Sequence, residues 1–208
     1  EEISQQERLT LIVLRVMVSI ICTARSGSTN LSLYLKEVFG IKFISSPFFK
    51  KNTKISSLKK NYLYKHMIHR LPEGYDDMYQ FGKDVIELSD KIILFDRKDK
   101  VKQSESLAFR KLKYQNDYSK YHIREPYVGI DDKNVEECLF YFNNHSNIIQ
   151  MLSKEFNIPI FYYEDVYYGN GLEELSKYLN VKIDKKTKIK YLLEDKKERL
   201  DNIKGDLL

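Results

Sequence analysis

The 208-residue sequence lacks tryptophan and contains only two cysteines, Cys22 and Cys138. Two cysteines so far apart along the chain match neither the spacing of a metal site nor a disulfide framework. We therefore expect two buried, unpaired thiols, a reducing compartment such as the cytoplasm, and no metal site.

Long apolar runs and blocks of one charge are also missing. The apolar stretch over residues 9–22 carries Arg15 near its middle. It is shorter than the roughly 20 residues that cross a bilayer, so we expect no membrane span. The net charge is +5, and acids and bases are interleaved along the chain. This balance argues against a dedicated nucleic-acid-binding protein but suits a pocket for a small polyanion.

The sequence does contain apolar, β-branched runs that alternate with segments of helical periodicity. Strands separated by helices predict a parallel α/β sheet in one domain over residues 1–208, with residues 1–12 peripheral or frayed. The expected strands are "RVMVSIIC", "IKFIS", "NYLYKHMIH", "KIILF" and "IPIFYYEDV". Helices are expected from Ser28, around Ile55 and Leu58, and over 75–88, 101–112, 135–156, 172–179 and 189–203.

The turn "CTARSGST" joins the first strand to a helix, at the edge of a parallel sheet where ligands bind. N–H groups at a helix N-terminus favour a phosphate or sulfate. Gly27 permits close backbone approach, and Arg25 offers a bidentate cation. The hydroxyls of Ser26, Ser28 and Thr29 can donate as well. The turn is therefore a candidate anion site, and the alternative is an ordinary helix start capped by serine or threonine.

A second polar turn follows the strand "KIILF". Arg97 and Lys98 come directly after Asp96, and Ser106 lies two helical turns further on. Alone, these residues also fit a solvated helix start. Two anion-competent turns on two strands of one sheet nevertheless predict a ligand with two separated anionic groups.

Three segments resemble sulfotransferases, in the same order along the chain. "TARSGSTNLSLYL" is similar to the family's 5′-phosphosulfate loop, in particular to the R-S-G-S-T of the bacterial trehalose-sulfotransferase-like branch. "DRKDKVKQSESLAFR" resembles that branch's 3′-phosphate segment, and "IPIFYYEDVYYGNGLEELSKYLNV" resembles its late strand, turn and helix. The resemblance implies a three-layer P-loop-like fold with a central parallel sheet flanked by helices. It also implies an enzyme that uses PAPS (3′-phosphoadenosine 5′-phosphosulfate) as co-substrate.

The resemblance further implies roles for individual residues. Arg25 would stabilise charge on the leaving oxygen, without a metal, and the acceptor would be a hydroxyl on a carbohydrate or small metabolite. Lys98 is an alternative to Arg97 as a phosphate ligand. The implied ligands are Arg25, Ser26, Gly27, Ser28 and Thr29 for the 5′-phosphosulfate, and Arg97 and Ser106 for the 3′-phosphate. Tyr163, Glu164 and Asp165 would be architectural.

The general base has to come from a different part of the sequence. The branch's glutamate in the helix after the loop corresponds to Leu33 here, so another group has to take the acceptor's proton. "YLYKHMIHRLP" resembles the K-T-H strand that supplies the base in other sulfotransferases. It offers His66, slightly preferred over His69, with Lys65 as a charge near the sulfuryl group. Alternation along a strand predicts Lys65 and His69 on one face and His66 on the other.

Two other histidines, His122 and His145, lie outside these motifs. His122, beside Tyr121, falls in an unperiodic loop over residues 114–132, where acceptor contacts often lie. His145 falls on the polar face of the long helix expected over 135–156, and we expect it to be solvated.

Two alternative functions remain open. A P-loop phosphotransferase would use Asp96, because "IILFD" ends like the strand whose aspartate holds Mg²⁺ in nucleotide hydrolases. The missing Walker glycine and lysine argue against it. A non-catalytic nucleotide-binding relative would explain why Leu33 replaces the expected acid.

Overall fold

The computed structural model describes residues 16–49, 54–114 and 131–182 of the chain. These ranges contain a five-stranded sheet in the order β2-β3-β1-β4-β5, in which every pair is parallel. The parallel α/β class predicted from the alternating pattern is therefore confirmed. The strands are β1 (Val18–Cys22), β2 (Lys42–Ser45), β3 (Tyr62–Met67), β4 (Lys91–Asp96) and β5 (Ile160–Tyr162).

Helices cover both faces of the sheet and complete the three layers. The helices are α1 (Ser28–Phe39), α2 (Met78–Leu88), α3 (Lys100–Tyr114), α4 (Asp132–Phe156), α5 (Tyr163–Tyr168) and α6 (Gly171–Leu179), with 3₁₀ turns at Pro47–Phe49 and Ile55–Ser57. One apolar cluster joins α1, α5 and α6 to the sheet, and a second joins α2 and α4 to it. No helix within the described ranges has the length and apolar character that a membrane crossing needs.

Strand β1 lies at the centre of the core. All five of its residues are buried, because it has a strand on each side and helices on both faces. A continuous apolar run of this kind is typical of strands covered on both faces. Cys22, at its end, and Cys138, in α4, are both buried and free, as the cysteine pattern predicts.

The sheet order opens a crevice at the carboxyl ends of β1 and β4. The chain leaves β1 towards β2 on one side of the sheet and leaves β4 towards β5 on the other. Neighbouring strands whose connections diverge in this way leave the opening in which such sheets bind ligands. Cys22 pairs with Phe95 in the register, so the two polar turns begin side by side.

Several element boundaries differ from the sequence-based expectation. The strand expected through Val166 ends at Tyr162, and α5 follows directly. Acidic residues in its first turn favour the helix, since negative charge stabilises a helix N-terminus. The helix expected around Ile55 is one 3₁₀ turn, and β3 ends at Met67 rather than at His69. The helix expected over 189–203 lies outside the described residues.

Candidate functional site

The turn after β1 forms a loop over residues 23–27 that leads into α1. Arg25 and Gly27 have φ angles of 59° and 78°, in the left-handed region. Gly27 is the N-cap residue of α1, and no side chain in the described ranges caps this helix. The alternative of a serine or threonine cap is therefore wrong. The first N–H groups of α1 stay available for an anion, which the helix dipole favours.

Gly27 has two separate reasons to be glycine. Besides its positive φ, a Cβ atom at this position would lie 2.5 Å from Cδ2 of the Tyr163 ring. The hydroxyl of Tyr167 also donates to the Gly27 carbonyl over 2.9 Å. Helix α5 therefore packs directly against the loop over residues 23–27.

The loop hydroxyls play different parts. The Ser26 hydroxyl is buried and donates to the Thr23 carbonyl over 2.8 Å, so its proton is used to close the loop. The Ser28 hydroxyl accepts from the Cys22 thiol over 3.2 Å, which leaves its own proton free to donate. Thr29 is exposed at the first turn of α1. Ser28 and Thr29 thus offer hydroxyls to an anion, whereas Ser26 offers only its backbone N–H.

The two candidate turns touch through Arg25. Its Nε donates to the Ser106 hydroxyl over 3.0 Å. Ser106 is buried in α3, two turns after the strand β4. A residue of the first turn and a residue of the second segment are therefore bonded to each other across the crevice.

Arg97 and Lys98 are held by the first turn of α5. The Arg97 guanidinium lies over the Tyr163 ring, 5.0 Å from its centroid. Its Nε lies 3.6 Å from a Glu164 oxygen, too far for a hydrogen bond, and has no hydrogen-bond partner in the described part of the chain. The Lys98 ammonium donates to Asp165 over 2.7 Å, and this bond raises the pKa of Lys98. Arg97 is thus the better placed of the two for a phosphate.

A buried polar network that the sequence analysis missed anchors the loop to α3. Asp96, 3% exposed, accepts from the Thr23 hydroxyl over 2.7 Å and from the Lys100 ammonium over 2.6 Å. The Gln103 amide donates to the Thr23 hydroxyl over 2.8 Å and also to the Ala24 carbonyl. The only sequence signal was a carboxylate at a strand end followed at i+4 and i+7 by long polar side chains.

Lys65 reaches the same loop from the neighbouring strand β3. Its ammonium donates to the Thr29 hydroxyl over 2.8 Å. Burial lowers the pKa of Lys65, and the charges of Arg70 and Arg25 lower it further, against an opposing effect of Cys22. The positive charges of Arg25 and Arg70 therefore both act on Lys65, which gives this edge a positive character that suits an anionic group.

His66 points to the other face of the sheet, as alternation predicts. It is 1% exposed and packs between the rings of Phe48 and Phe81, with centroids 5.5 Å and 5.9 Å away. Neither ring nitrogen has a hydrogen-bond partner in the described ranges. Burial lowers its pKa to about 3.

His69 does not share the face of Lys65, and that prediction is wrong. Strand β3 ends at Met67, and a turn closed by the Arg70 N–H and the Met67 carbonyl interrupts the alternation. The His69 ring lies parallel to that of His145 on α4, with centroids 5.4 Å apart and planes inclined by 18°.

His145 is buried, with 4% of its surface exposed, and the expectation of a solvated side chain is wrong. Its ring packs edge-on against Tyr141, with centroids 3.8 Å apart. The sequence contained a signal for this, since position 145 falls three residues after Phe142 and four before Ile149, both fully buried on α4. The stripe of α4 that faces the sheet therefore includes His145.

The remaining candidates contribute less. Leu33 is half-buried on α1 and supplies no acid. Tyr121, His122 and the terminal residues 1–12 lie outside the described residues. Within the described ranges, no group of three or more His, Cys, Asp or Glu side chains is arranged to hold a metal ion.

No protein-family model and no curated protein matches this chain.

Proposed function

We propose that the protein is a PAPS-dependent sulfotransferase that moves a sulfuryl group to an acceptor hydroxyl on a carbohydrate or another small metabolite. The observation that carries this proposal is the 3.0 Å hydrogen bond between Arg25 Nε and the Ser106 hydroxyl. This bond connects the loop proposed for the 5′-phosphosulfate to the helix proposed for the 3′-phosphate. A nucleotide with anionic groups at the 5′ and 3′ positions of one ribose requires two anion subsites this close together.

In this proposal, the 5′-phosphosulfate binds at the N-terminus of α1. The backbone N–H groups, the hydroxyls of Ser28 and Thr29 and the cations Arg25 and Lys65 supply donors. A phosphosulfate combines two negative charges with many acceptor oxygens, and charge-assisted bonds to such oxygens are the strong ones.

The 3′-phosphate binds at the start of α3. Because the Ser106 hydroxyl accepts from Arg25, its own proton is free to donate to a phosphate oxygen. Arg97 supplies the charge from beside the Tyr163 ring, where its buried Nε has no hydrogen-bond partner within the described residues. Lys98 is engaged by Asp165 and is not needed in this subsite.

Transfer then proceeds in line. The acceptor oxygen forms a bond to sulfur while the bond from sulfur to the bridging 5′-phosphate oxygen breaks, and the acceptor proton goes to a protein base. Negative charge grows on the bridging oxygen, and fixed N–H groups with the Arg25 guanidinium stabilise it. Arginine side chains stay protonated in proteins, so the guanidinium acts through its charge and not as a proton donor. The scheme requires no metal.

The environment of Asp96 favours this proposal over a phosphotransferase. In nucleotide hydrolases the corresponding aspartate holds Mg²⁺. Here the Oδ1 atom of Asp96 accepts from both Thr23 and Lys100, and the ammonium compensates its charge. Asp96 thus already has a structural role in anchoring the loop.

Titration calorimetry with adenosine 3′,5′-bisphosphate, followed by transfer assays with and without EDTA, tests the proposal. We expect the bisphosphate to bind and sulfuryl transfer from PAPS to be insensitive to EDTA. Transfer from ATP that stops with EDTA would establish a phosphotransferase instead. Tight bisphosphate binding without transfer to any member of a broad acceptor panel would identify a non-catalytic nucleotide-binding protein.

We also propose a cytoplasmic location and a small-molecule acceptor in place of a nucleic acid. The two free, buried thiols support the first, because reducing compartments keep cysteines unpaired. The interleaved charges of the chain, at a net charge of +5, support the second.

A further inference from the structure

The pair His69 and His145 lies beside the anion loop. The Ile68 N–H donates to the Cys22 carbonyl over 3.0 Å, so His69 follows at the level of Thr23, where the loop begins. Ala24 of the loop packs against the small apolar cluster of α3 and α4 that includes Tyr141. The two imidazoles therefore lie near the start of the loop in which we place the sulfuryl site.

Each of these imidazoles has one ring nitrogen without a hydrogen-bond partner in the described ranges. The Nδ1 atoms of His69 and His145 are both buried and have no hydrogen-bond partner among the described residues. A buried polar atom without a partner is costly, and native structures leave few of them. A hydroxyl can accept a hydrogen bond from one imidazole and donate its own proton to another, so a bound hydroxyl is the kind of partner that both nitrogens lack.

The charges around the pair distinguish the two histidines. Burial lowers the pKa of both to about 4, so each ring is neutral and has a lone pair at neutral pH. The Asp96 carboxylate raises the pKa of His145, whereas Arg70 and His145 lower that of His69. Burial raises the pKa of the adjoining Tyr141, which stays a neutral phenol. An imidazolium is therefore better stabilised at His145 than at His69.

We infer that His69 and His145 form the acceptor-hydroxyl site, with His69 donating to the acceptor oxygen and His145 taking the acceptor proton. This inference rests on the proposed function. As the acceptor oxygen bonds to sulfur and the bridging oxygen leaves with the 5′-phosphate, the hydroxyl proton moves to the His145 lone pair. Asp96 then stabilises the imidazolium through space. His145 thus takes the place of the basic glutamate that corresponds to Leu33. His66 stays a structural residue.

The test uses water as the acceptor, so the natural acceptor need not be known. Release of labelled inorganic sulfate from PAPS is measured for the unmodified protein, for His145→Gln, for His69→Gln and for the control Asn144→Ala, which changes an exposed neighbour on α4. Affinity for adenosine 3′,5′-bisphosphate is measured on the same samples. We expect His145→Gln to lower the sulfate-release rate by about 100-fold or more, the usual contribution of a general base, with unchanged bisphosphate affinity.

His69→Gln keeps a side chain that can donate but loses the imidazole, and we expect a smaller loss, of about 10-fold. If His145→Gln does not fold, the His69→Gln result decides. Full activity in the folded variants would overturn the inference and leave the proposed function intact. Failure of the unmodified protein to bind the bisphosphate would overturn both. Bisphosphate binding without any sulfate release would overturn the inference and favour the non-catalytic alternative.

Discussion

Replacing Gly27 with alanine tests whether α5 shapes the proposed anion-binding loop over residues 23–27. The φ angle of 78° costs an L-residue about 1–2 kcal/mol. The new Cβ would lie 2.5 Å from the Tyr163 ring, and overpacking of this kind costs about 1–3 kcal/mol more. We therefore expect Gly27→Ala to lower the free energy of unfolding by about 2–5 kcal/mol. At about 2–4 °C per kcal/mol for a chain of this size, the melting temperature falls by roughly 4–20 °C.

Gly40→Ala is the matched control. Gly40 ends α1 with a φ of 62°, and a Cβ there meets nothing within 4 Å. Gly40→Ala should therefore lower the free energy of unfolding by the backbone strain alone, about 1–2 kcal/mol. The double variant Gly27→Ala, Tyr163→Leu should recover part of the stability that Gly27→Ala loses through the clash with Tyr163. Calorimetry should show weaker bisphosphate binding for Gly27→Ala but not for Gly40→Ala. Equal melting temperatures for Gly27→Ala and Gly40→Ala would refute the role assigned to Tyr163.

Three further predictions follow from the site and its buried charges. Arg25→Ala should abolish sulfuryl transfer with an unchanged circular dichroism spectrum, while Ser106→Ala should mainly weaken bisphosphate binding; full activity in Arg25→Ala would contradict the role of the loop. Asp96→Asn leaves the Lys100 charge uncompensated and should cost about 3 kcal/mol in urea unfolding, partly recovered by adding Lys100→Met. His66 and His145 have folded pKa values of about 3 and 4, below the ordinary 6.5. The unfolded chain therefore binds protons first as the pH falls, and stability present above pH 6.5 should decline towards pH 4 by up to about 1.4 kcal/mol per pH unit for each histidine. Urea unfolding at pH 7.5 and 5 checks this, and His66→Phe should reduce the slope; an unchanged slope would count against the assigned burial.

The elements that the sequence predicted well are those whose pattern is local. The buried run of β1 and the 3.6-residue periodicity of α4 each identify one element without reference to the rest of the chain. The segment at 158–166 is predicted as a strand because its apolar and aromatic residues fit one. The helix that begins at Tyr163 is instead supported by hydrogen bonds that the Lys98 and Asp99 N–H groups donate to the Glu164 carboxylate. Such long-range contacts leave no periodic signal.

The site divides in the same way. The residue types in "CTARSGST" and its position between a strand and a helix predict an anion-binding loop, because backbone N–H groups, glycine and arginine carry that chemistry wherever they occur. The sequence does not show which hydrogen bonds these residues make in the fold. The Ser26 proton closes the loop, and Asp96 with Gln103 anchors it to α3.

The sequence by itself determined the parallel α/β class and the burial of the two thiols, since each follows from local composition and periodicity. It also predicted the two anion-competent turns on the same grounds. Only the tertiary structure decided that the turns follow neighbouring strands, that Arg25 is bonded to Ser106 and that His145 lies against His69. The residues in each of these pairs are more than 70 positions apart in the sequence. Their proximity depends on strand order and helix packing. These are set by the burial of apolar residues from several distant segments together, so no single segment specifies them.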